Sequence, residues 1–234
     1  MTDLRWWPQA TLVAAFFEET LGSAASGVFV HGSAALGGWA ASSDLDMLIT
    51  SKVLDRDWLV IGRRLLSELT TGPSVELSVV SAAAAARPEP PWPFLLHVNQ
   101  AEDRVVADGG RGDPDLVLHY LVTRDSGLAI AGQPVDAAIG AVPRAEVLTH
   151  LRDELTWAME QADQRYAVLN ACRALAYARD GSVLSKLDGG AWALDHGIDA
   201  SVLESALAAQ LGGWDLGPPT REARAFIERC RAEL

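Results

Sequence analysis

The chain has 234 residues, 49% of them hydrophobic, enough apolar material for well-formed cores in one large domain or two small ones, which excludes wholesale disorder. Nineteen Lys and Arg stand against 31 Asp and Glu, a formal charge of -12, so the average surface potential attracts cations and disfavours nucleic acid as a partner. No run approaches the about 20 apolar residues that cross a bilayer, Met1 to Pro8 lack the pattern of a signal peptide, and Cys172 and Cys230 sit in no metal-ligand or Cys-x-x-Cys spacing, so a cytoplasmic protein with two reduced, buried thiols and no membrane partner is expected.

In chain order, Gln9 to Leu21 predicts an amphipathic helix with Leu12, Phe16 and Phe17 inward and Glu18 and Glu19 outward, stopped by Gly22. Val28 to His31 predicts a strand that runs into a tight turn at Gly32-Ser33 and then a short helix of small residues. After the polar stretch Ala41-Ser42-Ser43, Asp44 to Thr50 predicts a second strand; Asp55 to Leu69 a helix with Leu59, Leu65, Leu66 and Leu69 in period; and Val75 to Val80 a third strand. Ala82 to Pro93, with four prolines, predicts an irregular surface excursion. Phe94 to Val98 predicts a strand and Pro114 to Val122 a helix opening. Turn formers and small residues between Gly132 and Pro143 mark a boundary, giving domains 1–140 and 141–234. Beyond it Leu148, Leu151, Leu155 and Ala158 share one helical face, and further helices are predicted over Asp163 to Arg179, Lys186 to His196, Ala200 to Leu211 and Thr220 to Glu233. The expected fold is α+β, a mixed α/β half followed by an all-α half of about five helices.

The chemistry concentrates in His31 to Trp39 and in Ser42-Ser43-Asp44-Leu45-Asp46. A strand has a side-chain period of two, so Asp44 and Asp46 are expected on one face with Leu45 in the core. Two carboxylates that close repel unless a cation lies between them, and a hard divalent ion such as magnesium shares oxygen ligands with substrate phosphates. Gly32 lets the backbone approach a phosphate, and Ser33 with nearby N–H groups can donate to it at a helix N-terminus. Phosphate cradle and metal clamp one short connection apart form the layout of phosphoryl transfer. Glu76, in the next strand and sharing a face with Ser78, is the expected base for an acceptor hydroxyl, or else completes the metal site. His31 is read as a packed residue beside the phosphate turn rather than a catalyst.

At these residues the chain resembles the DNA polymerase β-like nucleotidyltransferase superfamily, whose hallmark is Gly-Ser followed after a short helix by Asp-x-Asp. Within it, His31 to Trp39 and Ser43 to Asp46 look like the aminoglycoside (3'')(9) adenylyltransferases, the streptomycin and spectinomycin resistance enzymes. The likeness continues through Leu169 to Tyr177, Val183 to Lys186 and Gly190 to Leu194, which look like that family's C-terminal helical domain. The resemblance implies a polymerase β-like nucleotidyltransferase domain followed by a helical bundle that closes the ATP and acceptor cleft. It implies that Gly32, Ser33, Ser43, Asp44 and Asp46 hold ATP and two magnesium ions, that Glu76 activates the acceptor, and that Arg173 and Lys186 reach the triphosphate, with Asp115 helping around the nucleotide. An acidic protein needs such local positive charge against a triphosphate.

The implied reaction moves AMP from ATP to a hydroxyl of a cationic aminoglycoside or aminocyclitol, releases pyrophosphate and confers antibiotic resistance. Carboxylates would attract such an acceptor, and Asp163 and Glu160 are the candidates, with His97 able to pack against a sugar ring. Streptomycin-modifying members carry a tryptophan where this chain reads Leu96-His97-Val98 and an aspartate near Met159-Glu160, departures that weigh toward spectinomycin. A monomer is expected, since a two-domain cleft enzyme needs no second chain to build its site. Two other readings share parts of the pattern: a nucleotidyltransferase for another small-molecule or protein hydroxyl, and a nucleotide-binding regulator without turnover. Retention of Asp44, Asp46 and Glu76 together argues against the regulator.

Overall fold

A computed structural model describes residues 4–40, 43–107, 111–198 and 200–234, so Ala41 and Ser42 of the polar stretch lie outside the described residues. The chain divides into two compact units, Met1–Pro143 and Arg144–Leu234, three residues beyond the boundary expected from the turn formers.

The first unit is built on a six-stranded sheet. Its strands are β1 (Ala25–Val30), β2 (Leu45–Ser51), β3 (Val75–Ser81), β4 (Leu96–Asn99), β5 (Arg104–Ala107) and β6 (Leu128–Gly132), in the order β5-β4-β3-β2-β1-β6. Only β2 and β3 pair in parallel among these neighbours. A parallel neighbour needs a crossover, and α3 (Trp58–Glu68) supplies it. Asp57 starts that helix by accepting a hydrogen bond from the Val60 N–H at 3.1 Å, later than the Asp55 start expected from periodicity.

Strand alternation decides which face carries chemistry. Leu45, Met47 and Ile49 of β2, Val75, Leu77 and Val79 of β3, and Leu96 and Val98 of β4 join one core with residues of α1 (Trp7–Leu21) and α3. The intervening side chains, Asp46, Glu76, Ser78, His97 and Asn99, therefore project from the opposite face. The buried stripe of α1 runs through Ala10, Val13, Ala14, Phe16, Phe17 and Leu21, whereas Leu12 is exposed, contrary to the expected inward set. Likewise α3 buries Trp58, Ile61 and Leu65 while Leu59 faces solvent.

Shorter elements depart from expectation where the pattern was too brief to read. Ala82–Ala86 forms α4 rather than an irregular run, because the Ser81 hydroxyl caps it by accepting from the Ala84 N–H at 3.0 Å. The prolines that follow leave 87–95 without helix or strand. α5 (Leu116–Ser126) and α6 (Val135–Ala138) complete the unit together with α2, the single turn Gly32–Ala35.

The second unit is all-α: α7 (Arg144–Gln161), α8 (Gln164–Asp180), α9 (Lys186–Asp195), α10 (Ala200–Gly212) and α11 (Arg221–Ala232). Helix α8 is its axis, burying Ala167, Val168, Leu169, Ala171, Ala174 and Leu175 against the other four. Cys172 and Cys230 are buried and unbridged, as small apolar side chains. No helix among the described residues is long and apolar enough to cross a membrane.

Candidate active site

The site grows from the end of β1. Backbone pairing continues past Val30, where the His31 N–H donates to the Asp46 carbonyl at 3.0 Å, and the chain then turns at Gly32 with φ 59°. A Cβ on Gly32 would sit 1.8 Å from Asp46 Oδ2, so only glycine lets the turn lie against that carboxylate. The next side chain, Ser33, has its hydroxyl oxygen buried with no hydrogen-bond partner. Such an orphan is costly in a folded protein unless a ligand satisfies it. Because α2 is one turn long, the attraction for an anion here comes from individual N–H groups and the serine hydroxyl rather than from a helix macrodipole. Gly32→Ala should lower turnover about 100-fold, the scale of an ångström-sized misplacement, and steady-state rates measured beside a thermal melt will separate that loss from unfolding.

Asp46 and Glu76 are direct cross-strand partners in the parallel β2–β3 pair, so the two carboxylates stand side by side on one face. Asp44 stands just outside the strand expected to carry it. It lies one residue before β2 begins, so strand pleating does not place it beside Asp46. The residue as a whole is exposed, yet its carboxyl is shielded enough for desolvation to raise its pKa. It still belongs to the site electrostatically: burial raises the Glu76 pKa most, and the negative charge of Asp44 comes next, ahead of Asp115, Glu102 and Asp113. Removing one of those charges must relax the shift. In metal-free protein, Glu76 should titrate above an ordinary glutamate, and Asp44→Asn should bring it down; carboxyl NMR titrations that coincide would disprove the coupling.

Among the described residues no three His, Cys, Asp or Glu side chains form a metal cage by themselves. Ser43 closes the loop before β2: its hydroxyl oxygen accepts from the Ala40 N–H at 3.0 Å and its N–H donates to the Ala40 carbonyl at 2.9 Å, leaving the hydroxyl proton available.

Beside Glu76 opens a cavity of about 730 Å³, walled by Phe94, His97, Asn99, Glu102, Arg104, Val106, Arg111, Gly112, Asp113, Asp115 and His119. Glu76, Glu102, Asp113 and Asp115 outnumber Arg104 and Arg111, so the wall is acidic. Asp115 precedes α5 and makes no side-chain cap bond to it. His97 is buried and lines the same wall. His31 is a buried residue as expected, its ring 4.8 Å from that of His119, and burial, then the neighbouring His119, holds its pKa well below the usual histidine range. Asp113, Glu102, His119 and Asn99 escaped the sequence reading, and Ser78 is expected only as a residue on the Glu76 face; alternation along β4 from His97 to Asn99 and the spacing of Asp113 from Asp115 carried the only signal for the others.

In the helical unit, Arg173 lies in the middle of α8 and Lys186 begins α9, two helices that pack against each other. The Arg173 guanidinium donates to the Leu184 carbonyl at 2.8 Å and to Asn170 Oδ1 at 3.1 Å, and Lys186, the first residue of α9, has Nζ 4.7 Å from the Tyr166 ring centroid. Glu160 is exposed near the end of α7. Asp163 is committed to structure: one oxygen caps α8 by accepting from the Arg165 N–H at 2.9 Å, and the other accepts from the Leu216 N–H at 2.7 Å. That engagement leaves Asp163 a weaker candidate for an acceptor contact than sequence position suggested.

Residues 138–233 match the family model described as aminoglycoside adenylyltransferase, C-terminal domain. Spectinomycin 9-adenylyltransferases of Staphylococcus aureus strains Mu50 and N315 are 22% identical over 209 residues, covering 80% of this chain and 77% of the relative. The fold matches the crystal structure of the spectinomycin adenyltransferase AAD(9) from Enterococcus faecialis with ATP and spectinomycin, at a TM-score of 0.78 and 15% identity over 97% of this chain and 98% of that one. Residues 138–233 thus match the C-terminal domain of the aminoglycoside adenylyltransferases, and the chain as a whole has the fold of a spectinomycin adenyltransferase.

Proposed function

We propose that this chain transfers AMP from ATP to a hydroxyl of an aminocyclitol of the spectinomycin type, with release of pyrophosphate and magnesium as the metal, and thereby confers resistance to it. The observation that carries the reading is the Asp46–Glu76 pair, set against the Gly32 turn on one side and an acidic cavity on the other. The orphan hydroxyl of Ser33 and the glycine cradle fit a phosphate, and Asp44 and Asp46 fit oxygen-ligated divalent ions that the phosphates would share. Magnesium, when bound, neutralises triphosphate charge and polarises the α-phosphoryl group.

The protein's own part is positional and acid–base. Gly32 and Ser33 orient the phosphates, Ser43 adds its hydroxyl, and Glu76 receives the proton of the acceptor. The raised pKa of Glu76 brings the base closer to neutral pH than an ordinary carboxylate, which favours proton transfer. Asp115, at the cavity wall, is placed in the role of a nucleotide neighbour, and Arg173 and Lys186 are the helical unit's cations for the triphosphate. The acceptor is recognised as a cation by the acidic wall of Glu102, Asp113 and Asp115, with Glu160 a further carboxylate on the helical unit. Spectinomycin is preferred to streptomycin because the named relatives act on spectinomycin and the 96–98 segment brings no tryptophan.

The deciding assay is pyrophosphate release with ATP and magnesium against a panel of aminocyclitols and aminoglycosides. Turnover with spectinomycin is expected, and the product should carry the added mass of one AMP. Silence across the whole panel overturns the acceptor assignment.

A further inference from the structure

Ser78 of β3 and His97 of β4 are register partners on the face that carries Glu76. The Ser78 hydroxyl and His97 Nδ1 are 3.2 Å apart, and on the other side of the ring Nε2 lies 3.9 Å from Glu76 Oε1. Both Ser78, 1% exposed, and His97, 8% exposed, are held by packing, so the ring has little freedom to turn. An ionised carboxylate only accepts hydrogen bonds, so the contact is attractive when Nε2 carries the ring proton. Nδ1 is then the lone-pair nitrogen, and the Ser78 hydroxyl donates to it. Burial lowers the His97 pKa, which favours this neutral, single-proton form at neutral pH. The charged groups around the ring are Asp113, Asp115 and Glu102, which raise that pKa, and Arg104, which lowers it.

We propose that His97 is the positioning residue for Glu76: Ser78 fixes its tautomer, and its Nε2–H holds one carboxylate oxygen so that the other is aimed at the acceptor hydroxyl. The proposal rests on the reading of Glu76 as the base. The 3.9 Å separation is longer than a hydrogen bond, and contacts of this kind shorten when substrate closes the site. In the reaction the acceptor O–H bond breaks and its proton goes to Glu76. The acceptor oxygen bonds the α-phosphorus, and the bond from that phosphorus to the bridging oxygen breaks, its electron pair leaving with pyrophosphate. His97 keeps its proton throughout.

Two readouts test this. Imidazole ¹⁵N NMR of the full-length protein, with the His97 signal identified by its loss in His97→Gln, should show Nε2 protonated and Nδ1 bare, and Ser78→Ala should shift the ring toward a tautomer mixture. In turnover, a glutamine places an amide N–H near the Nε2 position, whereas an asparagine reaches only as far as Nδ1. His97→Asn should therefore fall at least tenfold below His97→Gln in kcat, with KM for ATP equal in the two and similar melting temperatures. A wild-type ring protonated at Nδ1, or equal kcat in the two variants, overturns the proposal. A wild-type protein that adenylates no acceptor while showing the Nε2–H tautomer defeats the acceptor reading instead, and leaves the contact standing.

Discussion

Asp46→Asn should reduce magnesium-dependent turnover by at least about 1,000-fold, since several kcal/mol of charge stabilisation vanish with one metal-bridging carboxylate and each 1.36 kcal/mol is a factor of ten. The substitution is isosteric, and shape matters at this position because the Gly32 turn lies directly against the Asp46 side chain. The cross-strand pairing of Asp46 with Glu76 uses backbone groups that the change leaves intact, and the His31 N–H still finds the Asp46 carbonyl. Melting temperature should therefore change little while activity disappears. Raising magnesium would recover only part of the rate, because an amide oxygen carries no charge to offset. A variant turning over near the wild-type rate removes Asp46 from the metal site and moves the assignment to Asp44 and Glu76.

The parts of this site that were legible in the sequence are those governed by short-range rules. A strand's period of two, applied to Asp46 and to Glu76 separately, put both residues on faces that a parallel pairing could bring together, and β2–β3 does pair them. For Asp44 the rule has less to act on, because the strand begins at Leu45, one residue after it. Helices of the second unit read well because their apolar positions repeat over three or more turns, as in α8. Strands β5 and β6 did not, being four and five residues long with few buried side chains to mark a face. Nor could Ser78 be matched to His97: their register depends on how the chain returns through the irregular proline segment between β3 and β4, where no local rule counts residues. The acidic wall is illegible for a related reason. Glu102 lies beside the β4–β5 turn and Asp113 before α5, so only tertiary folding brings them to one cavity.

Glu76→Gln isolates the base from the metal site. The side chain keeps its size at a half-buried position in the centre of the sheet, and burial, which works against the charged form, would penalise a neutral amide less. Stability should hold or rise slightly. On the proposed reading ATP is held by the Gly32 turn and the aspartates, so its affinity should be preserved or improve as one of the mutually repelling charges disappears. What is lost is a proton acceptor at the acceptor hydroxyl, and kcat should fall by about 100-fold or more, the scale of general base catalysis. The two glutamate roles left open by the sequence separate here. If Glu76 bound magnesium instead, the variant would show weakened metal dependence, with a rate recovered by excess magnesium. If it is the base, the loss should persist at saturating metal and shrink only as rising pH supplies more alkoxide from solution. Calorimetry with ATP and magnesium, run beside initial rates across pH, distinguishes the two; unchanged turnover would return Glu76 to a purely structural place in β3.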